Sequence, residues 1–508
     1  MRAPRTLKVA AVVLATALVA ACGGSGSESS SDQDSLKIAW HIPPSSMDPH
    51  RTTSASGSHP YISMLYDRLT ALEQVDGQPQ VVPSIATAWE TTPDGLTTTF
   101  TIRDDVTFHD GTPLDANAVA LSIERGVAPD TMSARYFEMI DGVSAPAPHT
   151  VVFTLKHPSS DLPFLLSTSL GSIINPKSIN DDLSQKADGS GPYELTRIVP
   201  GDRVVYSHID GYWNDETYVI PEVEIIGMVD DNSRMNAVRS GQIDAAKIRV
   251  AQYEEASDAA AGGDFELTNL DNLIWYNVNL NHDRGPLKDP RVRQALNYAI
   301  DRDAINTSLL NGQCVPTSQP LQEAAEGHRT DVDYTYDPDK ARELLAEAGY
   351  PDGFALDGVT SGDISKIGIT IQAALADIGV DINFRNSDFN DMLAQWTAGN
   401  ADAVLFAANA TSDAGFTLKD RYLGTSQKGP LPEGFEDSLS QALTLESGDP
   451  ARTEILSALS GLASEQATEI FICAPANPYL HSSNVAGFDT MASQFAGGPF
   501  DLRGVHFQ

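Results

Sequence analysis

Residues 285–302 read "GPLKDPRVRQALNYAIDR", and their reading decides the fold class. Asp289 suits a helix N-cap, and Pro290 the first helical position, where its missing N–H costs nothing. Val292, Ala295, Leu296, Ala299 and Ile300 then fall at i, i+3, i+4, i+7 and i+8, which predicts one buried stripe. Arg291 and Arg293 lie in the first turn, where the helix dipole disfavours cations, so carboxylate partners elsewhere in the chain are expected for both. Asp301 caps a second helix, ended by "LLNG" at residue 312. In a chain of formal charge −36, a helix so dense in cations is either an anion site or a scaffold element.

Downstream the same grammar repeats. In "DPDKARELLAEAGYPDGF" (337–354), Asp337 and Pro338 start a helix, Ala341, Leu344, Leu345 and Ala348 form its stripe, and Gly349 ends it. Ile367, Ile371, Ala374 and Ile378 form another helix face before the strand "VDINF". Phe389, Met392, Leu393 and Trp396 form a third before "ADAVLFA". Alternating helices and strands predict an α/β lobe.

Upstream, "LKIAWHI" (36–42) is a strand with Leu36, Ile38, Trp40 and Ile42 on one face, followed by a loop over 43–60 and a helix over 61–70. His41, His50 and His59 recur at intervals of nine, which fits no metal motif, and no metal site is expected. Leu96, Thr98, Phe100 and Ile102 alternate along a strand. Asp115 caps a helix carrying Ala116, Val119 and Ile123 that stops at Gly126, and "TVVFTLK" (150–156) alternates again, which makes a compact α+β unit.

The first 21 residues have the three parts of an export signal: Arg2, Arg5 and Lys8, an apolar run from Val9 to Ala21, and small residues before Cys22. Val19-Ala20-Ala21-Cys22 looks like a lipobox, with Cys22 acylated as the first mature residue. The next thirteen residues, nine of them Gly or Ser, bury too little apolar surface to fold and read as a tether over 22–35. Sixty-nine carboxylates against 33 Lys and Arg set nucleic acid aside, because phosphate binding needs clustered cations. The folded part is too long for one core. Cys314 and Cys473 have no CxxC spacing; outside the cytoplasm they can form one disulfide, and their distance in sequence leaves the pairing open.

Several stretches together resemble one family. They are the run from Trp89 to Arg125 with its W-E, P-D-G-L, T-F-x-I-R and F-H-D-G-T-P elements, "GSGPYELTRIVPGDRVVYSHIDGYW" (189–213), "NAVRSGQIDAA" (236–246), "LIWYNVNL" (273–280) and "DPRVRQALNYAIDR" (289–302). They are similar to the oligopeptide, dipeptide and nickel-type solute-binding lipoproteins, family 5, of ABC importers. The resemblance implies an α/β, two-lobed periplasmic-binding-protein fold of the cluster C type, with an inserted α+β domain and a cleft closed by a hinge. Lobe I then combines 36–77, 189–280 and 485–508, the inserted domain is 78–188, and lobe II is 281–484. The implied role is capture and delivery of a solute without chemistry or cofactor. His109 and Asp110 fall in a segment that is structural in the family.

The resemblance also implies where the ligand lies. Peptide-binding relatives add an extended ligand as a strand, and "SGSHP" (56–60) with "LFAANATSD" (405–413) match that cradle. Ser58, His59, Phe406 and Asn409 are expected there. Relatives carry an aspartate for the ligand's amino group where this chain has Asn409, a loss of charge assistance on the order of 1–2 kcal/mol, and Asp413 is the candidate substitute. Trp275, Asn277 and Trp396 are expected wall residues, with core packing the stronger reading for Trp396. "DGVTSGDIS" (357–365) lacks the arginine of strict dipeptide binders. A peptide or oligopeptide is the expected ligand; a metal chelate, an oligosaccharide or an opine-like solute is the alternative. The expected partners are a permease and an ATPase, with the monomer anchored by lipid on the outer face of the bacterial cell membrane. A lipid-anchored secreted hydrolase, an alternative, would need a nucleophile elbow, a zinc motif or a placed carboxylate pair. Neither G-x-S-x-G nor H-E-x-x-H occurs, and among sixty-nine carboxylates pairs arise by chance; a signalling receptor is the other alternative.

Overall fold

The computed structural model describes residues 35–52, 55–75, 78–270, 273–424, 426–491 and 502–508. The expected signal, Cys22 and most of the tether lie outside them. Two large sheets dominate. A seven-stranded sheet runs in the order Phe265–Leu270, Asn477–Ser482, Ala245–Lys247, Ser35–Trp40, Glu222–Gly227, Arg203–His208 and Tyr193–Val199. Ser35–Trp40 lies at its centre, parallel to both neighbours, with Leu36, Ile38 and Trp40 fully buried; Ile42 lies beyond the strand end and is exposed. A six-stranded sheet runs Cys314–Pro316, Glu469–Pro475, Ile274–Leu280, Ala403–Asn409, Phe354–Ser361 and Val380–Ser387. Inserted in sequence between two strands of the seven-stranded sheet, Ser35–Trp40 and Tyr193–Val199, a four-stranded antiparallel sheet spanning Ala86 to Leu155 packs under the helix Ala116–Gly126, whose cap Asp115 accepts from the Ala118 N–H at 2.9 Å.

The two sheets divide the chain differently from the expected boundaries in two places. Ile274–Leu280, expected in lobe I, pairs on both sides within the six-stranded sheet. Asn477–Ser482, expected in lobe II, pairs with Ala245–Lys247 and Phe265–Leu270 in the seven-stranded one. Each strand is buried among partners of the other sheet, so each crossover falls before its strand.

The helix Pro290–Tyr298 is built as its sequence predicts. Asp289 accepts from the Arg291 N–H, and Val292, Ala295, Leu296, Ala299 and Ile300 are buried. Arg291 finds its carboxylate in the cap itself, Asp289. Arg293 has no carboxylate within ion-pair distance among the described residues. It donates to the carbonyls of Gln466 and Ala467, just past the C-terminal end of the helix Pro450–Glu465, where unsatisfied carbonyls and the negative dipole end receive a cation, and to that of Leu287 in the turn before its own helix. Burial pushes its guanidinium down to about 10. The next helix, Arg302–Leu309, ends before residue 312 because Asn311 and Gly312 take left-handed backbone.

Two further expectations are corrected, and the open cysteine pairing is decided. The helix expected over 61–70 is Ala55–Ile62, starting inside the expected loop. Residues 64–65 are instead held by the backbone of 189–193: Gly191 N donates to Leu65 O and Tyr193 N to Met64 O. A Cβ on Gly191 would lie 2.4 Å from Met64 O, which accounts for the glycine in that motif. On the helix Phe389–Thr397, Met392 and Trp396 are buried but Phe389 and Leu393 face solvent. Cys314 and Cys473 form a disulfide between adjacent strands of the six-stranded sheet.

Candidate functional site

The antiparallel pair Ile274–Leu280 and Ala403–Asn409 brings four expected residues together. Ile274 lies opposite Asn409, Trp275 opposite Ala408, and Asn277 opposite Phe406. Asn409 is exposed at the end of the pair, Phe406 is half-buried, and Trp275 is buried over Ala408 and Ala410. The Arg421 guanidinium sits 5.3 Å from the Trp275 ring and 5.8 Å from that of Phe406, within range of both ring faces.

Beneath these rings is a buried polar network. Arg421 forms an ion pair with Glu469, both almost fully buried. Asn277 donates through Nδ2 to Asn279 Oδ1 at 2.6 Å and to Glu469, and Tyr422 donates to Glu469 Oε1 at 3.0 Å. Burial, then the Glu469 charge, pushes the Tyr422 hydroxyl well above its usual range. Asn277 therefore belongs to the floor of the pair, where it helps satisfy the carboxylate that neutralises Arg421. Sequence reasoning missed Arg421 and Glu469. The available signal was a single glutamate opening the apolar run "EIFICAP".

Asp413 is committed elsewhere. It caps the helix Ala414–Tyr422, accepting from the Phe416 N–H at 2.7 Å, and both its oxygens accept from Arg452 Nη2 at 2.8 Å. Arg452 is fully buried and also pairs with Glu326. Asp413 and Glu326 border a cavity of about 700 Å³, with Trp89, Val81, Phe164 and Leu443, where the four-stranded unit meets the helices Ala414–Tyr422 and Phe435–Ala442. That junction is held by tilted ring contacts of Phe416 with Tyr136 and Phe164 and by Ser160 N donating to Leu443 O.

The other expected residues are dispersed. Ser58 and His59 are buried in the helix Ala55–Ile62, with the Ser58 hydroxyl bonded to that of Thr52. Trp396 packs into the core under Val359, Met392 and Val404, its indole donating to Ser426 O at 3.0 Å. Among the described residues no group of three or more His, Cys, Asp or Glu is placed to hold a metal.

At the carboxyl end of the parallel strands, a cationic group went unread in the sequence. Trp40 and His41 end one strand and Lys247 the next, with Arg234, Arg249 and Asp231 beside them. The sequence signal was the pair of cations in "AAKIR" (245–249).

A family model described as bacterial extracellular solute-binding proteins, family 5 Middle, matches residues 80–430. The glutathione-binding protein GsiB of Salmonella paratyphi A is 30% identical over 329 residues, 63% of this chain and 64% of that relative. The matched part thus spans less than two thirds of that relative's length. The ABC transporter-associated periplasmic binding protein DppA from Helicobacter pylori, in complex with peptide STSA, has a TM-score of 0.79 over 93% of this chain and 98% of that one, at 24% identity. The binding protein AgaA of A. tumefaciens R10, in complex with agropinic acid, has the same TM-score and identity over 93% and 99%. These two structures have the fold of this chain.

Proposed function

The chain belongs to the bacterial extracellular solute-binding proteins of family 5, and on that premise we propose that it is the capture component of an ABC importer, holding a peptide or oligopeptide between its two lobes and delivering it unchanged to a permease and its ATPase. The observation that carries this reading is the pair Ile274–Leu280 and Ala403–Asn409: an exposed amide at its end, two aromatic rings, and a buried ion pair whose guanidinium lies against both rings. Such a surface suits an extended ligand with a polar terminus. Ser58 and His59 would face it from the first lobe, and the ligand would shift an open–closed equilibrium by touching both lobes.

In this reading the lobes follow the two sheets, the four-stranded unit is the inserted domain, and the monomer is tethered through acylated Cys22 outside the cell membrane. No helix among the described residues is long and apolar enough to cross a membrane. Asn409 in place of a charged acceptor favours, as second reading, a solute without a free amino group, such as an opine-like compound. Native mass spectrometry of the purified mature protein, followed by incubation with peptide mixtures, tests the proposal: intact co-purified or captured solute is expected, and turnover of the bound molecule would sink it.

A further inference from the structure

Ser35–Trp40 runs parallel to Glu222–Gly227 and to Ala245–Lys247, so Trp40, Gly227 and Lys247 finish side by side. Ligands of open α/β sheets sit off these carboxyl ends. The segment after Lys247 touches the second lobe: Asn311 donates to the carbonyls of Val250 and Ala251 at 3.3 Å, and Val250 packs into the core of the six-stranded sheet. The strand ends therefore lie where the lobes meet.

The charges there are one-sided. Arg234 and Arg249 share the carboxylate of Asp231. Arg234 is committed further, donating to the carbonyls of Lys247, Met228 and Val229. Lys247 has no carboxylate within ion-pair distance among the described residues; its Nζ lies 5.4 Å from the centre of the Trp40 ring. The His41 ring is 4.4 Å from that of Trp40, and its buried Nδ1 has no hydrogen-bond partner among the described residues. Burial, then Arg234 and Arg249, lowers the Lys247 ammonium to about 8; burial, then Lys247, holds His41 neutral down to about 2. In a chain with 69 carboxylates, a half-buried ammonium beside two guanidiniums is unfavourable until an anion joins it.

We propose that Lys247, flanked by Trp40, is a first-lobe subsite for a carboxylate carried by the bound solute. The ligand class narrows to solutes with an anionic end, a peptide with a free C-terminus among them. This rests on the solute-binding reading, and the experiment separates the two. Protein stripped of ligand by unfolding and refolding is titrated with the peptide Ser-Thr-Ser-Ala and with its C-terminal amide, at constant chloride. Calorimetry is expected to show the free acid binding at least about tenfold more tightly, an advantage lost in Lys247→Gln and kept in Lys247→Arg. An advantage that survives Lys247→Gln overturns the subsite. A second readout needs no peptide: in ¹³C-methylated protein, the Lys247 methyl resonance, assigned by its absence from Lys247→Gln, should shift saturably with succinate. No shift overturns the subsite, even where peptide binding succeeds; a shift without peptide binding supports it and removes only the peptide reading.

Discussion

Asn409 and Glu469 show how differently two polar residues of one sheet are used. Asn409 is exposed, opposite Ile274, and its neutral amide offers one acceptor where an aspartate would offer a charged one. Asn409→Asp is expected to raise affinity for peptides with a free amino terminus by roughly tenfold, measured by calorimetry, and no change would remove Asn409 from the ligand site. Glu469 is buried and holds Arg421, Tyr422 and Asn277 at once. Glu469→Ala leaves the guanidinium without its counter-charge and is expected to cost about 3–5 kcal/mol in denaturant unfolding. A loss below about 1 kcal/mol would mean that solvent reaches Arg421.

Elements were set by local rules except where another element intervenes. Asp115, Asp289, Asp301 and Asp337 all cap the helices they were expected to cap. The segment 63–69 is the exception: the carbonyls of Met64 and Leu65 accept from Tyr193 and Gly191, those of Asp67, Arg68 and Leu69 from Ile173, Ile85 and Ala86, and the close approach at Met64 requires the glycine at 191. Gly191→Ala would press a Cβ against the Met64 carbonyl and is expected to destabilise by about 3 kcal/mol, the upper range for overpacking. A melting temperature equal to that of the unaltered protein would show that the two segments can separate at little cost.

For the whole molecule, pH reports how much is buried. His50 and His282 are pushed down to about 4, chiefly by burial, and His41 to about 2. Between pH 6.5 and about 4 the unfolded chain takes up protons that these folded histidines refuse, so stability falls as pH falls through that window. Asp67, pushed up to about 6 by burial, works in the opposite sense, because folded Asp67 is protonated first. His481 is likewise lowered by burial and Asp420 raised by it, so four histidines against two carboxylates predict a lower melting temperature at pH 4.5 than at pH 7, checked by calorimetric scans; a flat or rising profile would contradict the burial of these rings.

The stripe of residues 292–300, the aspartate caps and the family motifs were legible in the sequence, because helix period and capping act over three or four residues and leave a repeating trace. Trp275, Asn277, Phe406 and Asn409 were legible as single residues, and the pairing of their strands brings them together. The tertiary structure alone decided that Ile274–Leu280 and Asn477–Ser482 belong to opposite sheets, that Arg293 serves a distant helix end, that Arg421 finds Glu469, and that Lys247 joins Arg234 and His41. Those outcomes depend on hydrogen bonds and charges between residues far apart in the chain. Their energy comes from burial in a shared low-dielectric interior, which no local pattern encodes.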